Sequence, residues 1–119
     1  MEAIQEKARE IGRLLSQTDE YKALKRANER LSEDRETVTL LNELGALQDR
    51  LSNELREGKE PSAENQEEYG RLADQLQQRT AYQGVVAAQS NFDNIMVRMN
   101  EDIARGIEAG EQSRIILSS

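Results

Sequence analysis

The chain has 119 residues, 36% hydrophobic and 33% charged, with a formal net charge of −7 and neither Cys nor His. That length predicts one domain around one core, and the acidic balance opposes binding to phosphate backbones or anionic lipid. The missing side chains exclude disulfides, thiolate catalysis, iron–sulfur ligation and the usual zinc sites. No run reaches the ~18–20 apolar residues that span a bilayer, and MEAIQEKARE lacks the basic-then-apolar order of a signal peptide. A cytoplasmic protein without cofactor or membrane contact is the expectation.

Residues 2–16 place Ile4, Ala8, Ile11, Leu14 and Leu15 on one helical face, with Glu6/Arg9 and Glu10/Arg13 as outward pairs. The run Ser16-Gln17-Thr18-Asp19 offers several N-caps. There the chain is expected to break before Tyr21, Leu24, Ala27 and Leu31 restart the period. A second cluster, Leu31-Ser32-Glu33-Asp34, predicts a new helix start at Ser32 or Asp34, or a kink without a loop.

The central helix carries leucines at 40, 41, 44, 47, 51 and 55. It is expected to end near Glu57, because Gly58 can take the left-handed conformation and Pro61 follows. Ser62 is the next predicted N-cap, with Glu64, Glu67 and Glu68 in the first turns, where the helix dipole favours acids. That helix turns Tyr69, Leu72, Ala73 and Leu76 inward and pairs Glu67 with Arg71. Near residue 80 the pattern hesitates, and Thr80 with Gln83 has the form of a capping box. The last helix, about 81–108, bears Val85, Ala88, Phe92, Ile95, Met96, Met99, Ile103 and Ile107, with a Glu101/Arg105 pair outside.

No segment alternates with period two, so no strand is predicted. The expected fold is all-α: an elongated bundle or hairpin of about four to five helices, its two long helices side by side and also forming the dimer contact. Residues 1–108 form the domain and 109–119 a flexible tail. A chain of this size buries about 60–70% of its unfolded surface, and an elongated one less, so a homodimer or higher oligomer is expected. The core and oligomer stripe is Leu44, Leu47, Leu51, Leu55, Val85, Phe92, Met96 and Met99. Gly45 and Gly84 cost about 1 kcal/mol each in helix interiors. They read either as points of close helix approach or as tolerated residues.

Chemistry would have to rest on carboxylates, since no Ser, Thr, Tyr or Lys has a visible activating base. Glu33/Glu36 and Glu54/Glu57 resemble the paired acids with which helical nucleotide pyrophosphohydrolases hold magnesium. If both pairs ride one helix, about 30 Å apart, they can converge only between protomers. Lys22, Lys25, Arg26 and Arg30 form a small basic face. It reads as a docking patch for an acidic partner or RNA, or as a solvated surface offsetting Glu20 and Glu29. The stripe Phe92, Ile95, Met96, Met99 reads as core or seam before it reads as an adaptable groove. Tyr21, Tyr69 and Tyr82 read as core residues with hydroxyls at the rim.

The run Asp19-Glu20-Tyr21-x-x-Leu24-Lys25-x-Ala27, then Leu31-x-x-Asp34, the leucine-rich helix with Gln48 and Leu51, the GKEPSAE turn, and Met99-Asn100-Glu101-x-Ile103 resemble the YlbF/YmcA family, and within it the YheA-like branch. The likeness covers roughly residues 3–108. It implies a small all-α bacterial protein that dimerises through its long helices and has no known enzyme activity. It further implies an adaptor-like regulator of competence, biofilm formation and sporulation, in a complex that influences ribonuclease Y and messenger-RNA processing. Members that supply cysteines to iron–sulfur clusters differ from this chain. The leading expectation is therefore a non-enzymatic interaction protein whose partner belongs to RNA processing. A magnesium-dependent hydrolase using the two acid pairs is the alternative, and direct RNA binding through the basic face is a third.

Overall fold

The computed structural model describes the backbone of residues 1–118 and the side chains of residues 1–112. Five helices follow one another: α1 (Glu2–Leu15), α2 (Asp19–Glu33), α3 (Arg35–Arg56), α4 (Ala63–Gln77) and α5 (Thr80–Ser118). Among the described residues there is no strand.

The breaks are set by local chemistry. Thr18, extended at φ −69° and ψ 150°, opens α2 by accepting from the Tyr21 N–H at 3.1 Å. The Ser16 and Thr18 hydroxyls donate back to the Arg13 and Leu15 carbonyls, each at 2.7 Å, and close α1. Asp34 alone separates α2 from α3, with ψ at 97°. At the far end of α3, Gly58 has φ 75°. The Lys59 N–H bonds the Glu54 carbonyl and the Gly58 N–H bonds that of Leu55, the six-to-one and five-to-two pairing of a Schellman stop. Pro61 then leads into Ser62, which caps α4 by accepting from the Asn65 N–H at 3.1 Å.

The turn at 58–62 is short, so α4 folds straight back along α3. The α4–α5 break at residues 78–79 then sends α5 back along α2. The result is one long hairpin with both arms broken near the middle: α3 packs on α4, and α2 on α5. This corrects the expectation that the leucine helix and the last helix lie side by side. Connectivity decides it, because α4 covers the α3 stripe before α5 begins. Leu47, Leu72 and Leu76 are buried in the first pair, Leu24 and Ala88 in the second.

The molecule measures 68 × 38 × 23 Å, with a radius of gyration of 21.6 Å. A compact chain of this length would give about 13–14 Å. Much apolar surface therefore stays in solvent. No α1 side chain is buried. Among the described residues, no helix is long and apolar enough to cross a membrane.

The last helix differs from its expected bounds. It begins at Thr80, where the Arg79 carbonyl accepts from the Gln83 N–H at 3.0 Å, and runs past Gly106 and Gly110 to Ser118. Gln83 does not complete a capping box with Thr80; its side-chain amide donates to the Gln77 carbonyl at 2.9 Å. Neither late glycine has a positive φ, and a glycine in αR conformation weakens a helix without ending it. Most of the tail expected over 109–119 lies outside the residues whose side chains are described.

Candidate functional site

A polar node ties the two breaks of the hairpin together. Arg79, in the α4–α5 joint, sends Nη2 to both Asp34 carboxylate oxygens (3.0 and 2.9 Å), Nη1 to Glu36 Oε2 (2.7 Å) and Nε to Thr37 Oγ1 (3.2 Å). Thr37 is wholly buried, and its hydroxyl donates to Asp34 Oδ2 at 2.8 Å. Asp34 thus directs its carboxylate chiefly across the chain rather than onto the first turn of α3. The Thr37 hydroxyl and then the Arg79 guanidinium hold the Asp34 carboxyl below its ordinary range, since both bond its charged form. The Asp34 carboxylate in turn raises the Arg79 guanidinium.

The sequence marks both breaks, but nothing in it joins Arg79 to residues more than forty positions earlier. The available signal was topological. A short turn at 58–62 brings the two arms together, and a cation at one break then faces an acid at the other.

The paired acids do not assemble. Glu33 ends α2 while Glu36 lies in α3, so the first pair is split by Asp34 rather than shared along one helix. Glu36 is bonded to Arg79. Glu54 accepts from the Ser62 N–H at 3.1 Å and from Asn65 Nδ2 at 2.9 Å, fastening the start of α4 to the end of α3. Glu57 pairs with Lys59 at 3.2 Å. Among the described residues no three acidic side chains are grouped as a cation site. Glu36, Glu54 and Glu57 thus serve as ties and ion-pair partners within the fold.

The stripe residues are divided between the two helix pairs. Leu47 is buried, Leu44 and Leu51 are half-buried, and Leu55 is exposed; on α5, Val85, Phe92, Met96 and Met99 are half-buried. Phe92 meets Tyr21 of α2 with ring centroids 5.6 Å apart and planes tilted by 59°, an arrangement that favours aromatic pairs. A Cβ on Gly45 or Gly84 would meet nothing within 4 Å, so no crossing within the chain requires glycine there. Lys22, Lys25, Arg26 and Arg30 are all exposed along α2. Among the described residues none of them takes part in an ion pair.

Of the expected outward pairs, the helices use neighbouring partners: Lys7 with Glu10 at 3.7 Å, Arg71 with Glu68, and Arg105 with Asp102 at 2.9 Å. The groove between α3 and α4, about 610 Å³ and open to solvent, is lined by Arg35, Glu36, Thr39, Glu43, Gln75 and Arg79 among others. Its polar ends belong largely to the Arg79 node.

The feature that sequence reading left unplaced is the bare end of the molecule. Beyond α2, α5 carries the same apolar stripe onward, yet Ile103 is 47% and Ile107 60% exposed, and on α1 Ile4 is 65% exposed. All residues from 101 to 112 are exposed.

Comparison with known proteins gives two findings. The model of the family described as "Control of competence regulator ComK, YlbF/YmcA" matches residues 4–108. The UPF0342 protein LBA1592 of Lactobacillus acidophilus is 35% identical over 74 residues. That match covers 62% of this chain and 64% of the relative, so the chain spans a little under two thirds of it.

Proposed function

The chain belongs to the YlbF/YmcA family of competence-control proteins, and from that premise we propose that it is a non-enzymatic adaptor, a homodimer that regulates by packing helices against another protein. The family's description names control of the competence regulator ComK. The regulation proposed here is of the competence, biofilm and sporulation type, exerted in the cytoplasm through RNA-degradation machinery. Family and fold do not by themselves assign a role, because function resides in surfaces and sites.

The observation that supports assembly through helices is the bare apolar surface at Ile4, Ile103 and Ile107, which a second copy can cover. Exposed apolar helix faces of this kind are what one helical protein offers another. The cations Lys22, Lys25, Arg26 and Arg30 supply a second face, suited to an acidic protein surface. Charge of this sort sets partner choice and encounter rate more than raw affinity.

Two measurements test the reading. Sedimentation of the purified chain should give a dimer at micromolar concentration; a monomer there would remove the homodimer. Cross-linking of the tagged full chain at native expression should recover a protein of RNA processing. A variant with Lys22, Lys25, Arg26 and Arg30 all replaced by Glu should lose that partner while keeping its helix content. Recovery of the chain alone from both forms would sink the adaptor.

A further inference from the structure

The second half of α5 and the whole of α1 are amphipathic helices left without partners at the same end of the molecule. Along α2 the stripe of α5 is covered, as the Tyr21–Phe92 pair shows. Past α2 it continues through the half-buried Met99 to Ile103, Gly106, Ile107 and Gly110, and among the described residues every position from 101 onward is exposed. On α1 the stripe is Ile4, Ala8, Ile11 and Leu15, with none of the four buried.

The two stripes match when read in opposite directions. Leu15 falls opposite Met99, and Ile11 opposite Ile103. Ala8 falls opposite the Gly106–Ile107 step, and Ile4 opposite Gly110. Ala8 and Gly110 leave room for Ile107 and Ile4 opposite them, while Leu15 with Met99 and Ile11 with Ile103 fill the other two layers, so the helices can interdigitate. With 14 residues, α1 is about 21 Å long, as long as the stretch 99–112.

Within one chain, among the described residues, α1 packs extensively on no other helix and buries none of its side chains. The hydroxyls of Ser16 and Thr18 close it, and Thr18 then opens α2 in an extended conformation. Charge argues against two α5 helices meeting face to face. Residues 93–112 of α5 carry Asp93, Glu101, Asp102, Glu108 and Glu111 against Arg98 and Arg105, so a symmetric seam would set two net-negative stretches together. α1 carries Lys7, Arg9 and Arg13 against Glu2, Glu6 and Glu10, so it can meet that acidic stretch without net repulsion.

We infer that in the homodimer α1 of one copy packs antiparallel on residues 99–112 of α5 in the other, and reciprocally. This rests on the homodimer reading above and specifies its contact. A two-fold arrangement makes the contact twice and closes the assembly, since each copy offers one donor helix and one acceptor face.

The chain has no cysteine, so engineered thiols report directly. Ile11→Cys in one tagged chain and Ile103→Cys in another, mixed and mildly oxidised, should form the mixed disulfide. Ile103→Asp with Ile107→Asp, at exposed positions that the monomer fold does not need, should shift sedimentation from dimer to monomer with helix content unchanged. A dimer that survives the double Asp variant without the mixed disulfide would overturn the α1–α5 contact and leave the homodimer standing. So would a disulfide formed only by Ile103→Cys with itself, or only within one chain carrying both cysteines. A monomeric native chain would remove both.

Discussion

The two halves of α5 are alike in sequence and unlike in surroundings. From Ala81 to Met99 the inward stripe, Ala81, Val85, Ala88, Phe92, Ile95, Met96 and Met99, is buried or half-buried, whereas Ile103 and Ile107 stand in solvent. Pattern is not what separates them. At 15 residues α2 is less than half as long as the 39-residue α5, and α1 adds no extensive packing beyond it. Periodicity says that a helix has an apolar face; the lengths and breaks of its neighbours decide whether that face becomes core or contact surface.

Substitutions can break or sharpen that contrast. Leu72→Ala in the covered region should lower unfolding free energy by about 2–3 kcal/mol in urea titration, because its buried methyls have no replacement. Ile103→Ala in the uncovered half should cost under about 0.5 kcal/mol in the monomer, and should weaken association in dilution experiments. Equal costs at the two positions, independent of protein concentration, would erase the distinction.

Thr37→Val should cost about 1–2 kcal/mol in the same titration, since it deprives Arg79 Nε and the Asp34 carboxylate of a buried partner. Gly45→Ala and Gly84→Ala should each stabilise the monomer by about 0.5–1 kcal/mol, there being open space around both. Loss of dimer in either variant would place a second copy against that glycine.

The smallest effect concerns pH. The folded-state carboxyl of Asp34 is depressed, so its contribution to stability is present above the ordinary Asp value of about 3.9 and is lost as pH falls through the lower folded value. The melting-temperature gap between the native chain and Asp34→Asn should therefore be constant near neutrality and close in strong acid. A gap that widens in acid would reverse the assignment.

How much of this was legible in the residues depends on range. Gly58 with Pro61 marked the hairpin turn, Ser62 the start of α4, and Asp34 one of two positions for the start of α3, because capping and left-handed glycine act over a few residues. Which stripes pair was not legible. Leu47 and Phe92 read as equal members of one seam, and only the short 58–62 connection assigns the first to α4 and the second to α2. The Arg79 node escaped for the same reason, since its partners are brought near by topology alone. The glutamate pairs misled in the other direction: a spacing that resembles a metal motif is also the spacing of helix ends and turns, and Glu54 and Glu36 are used there.

The bridge from Arg79 to Asp34 has a mechanical consequence. Both arms of the hairpin are interrupted at the level where one guanidinium bonds Asp34 and Glu36 across the chain, so bending at either joint must stretch those bonds. The two joints are thereby coupled through Arg79 as well as through the helix pairs packed on either side.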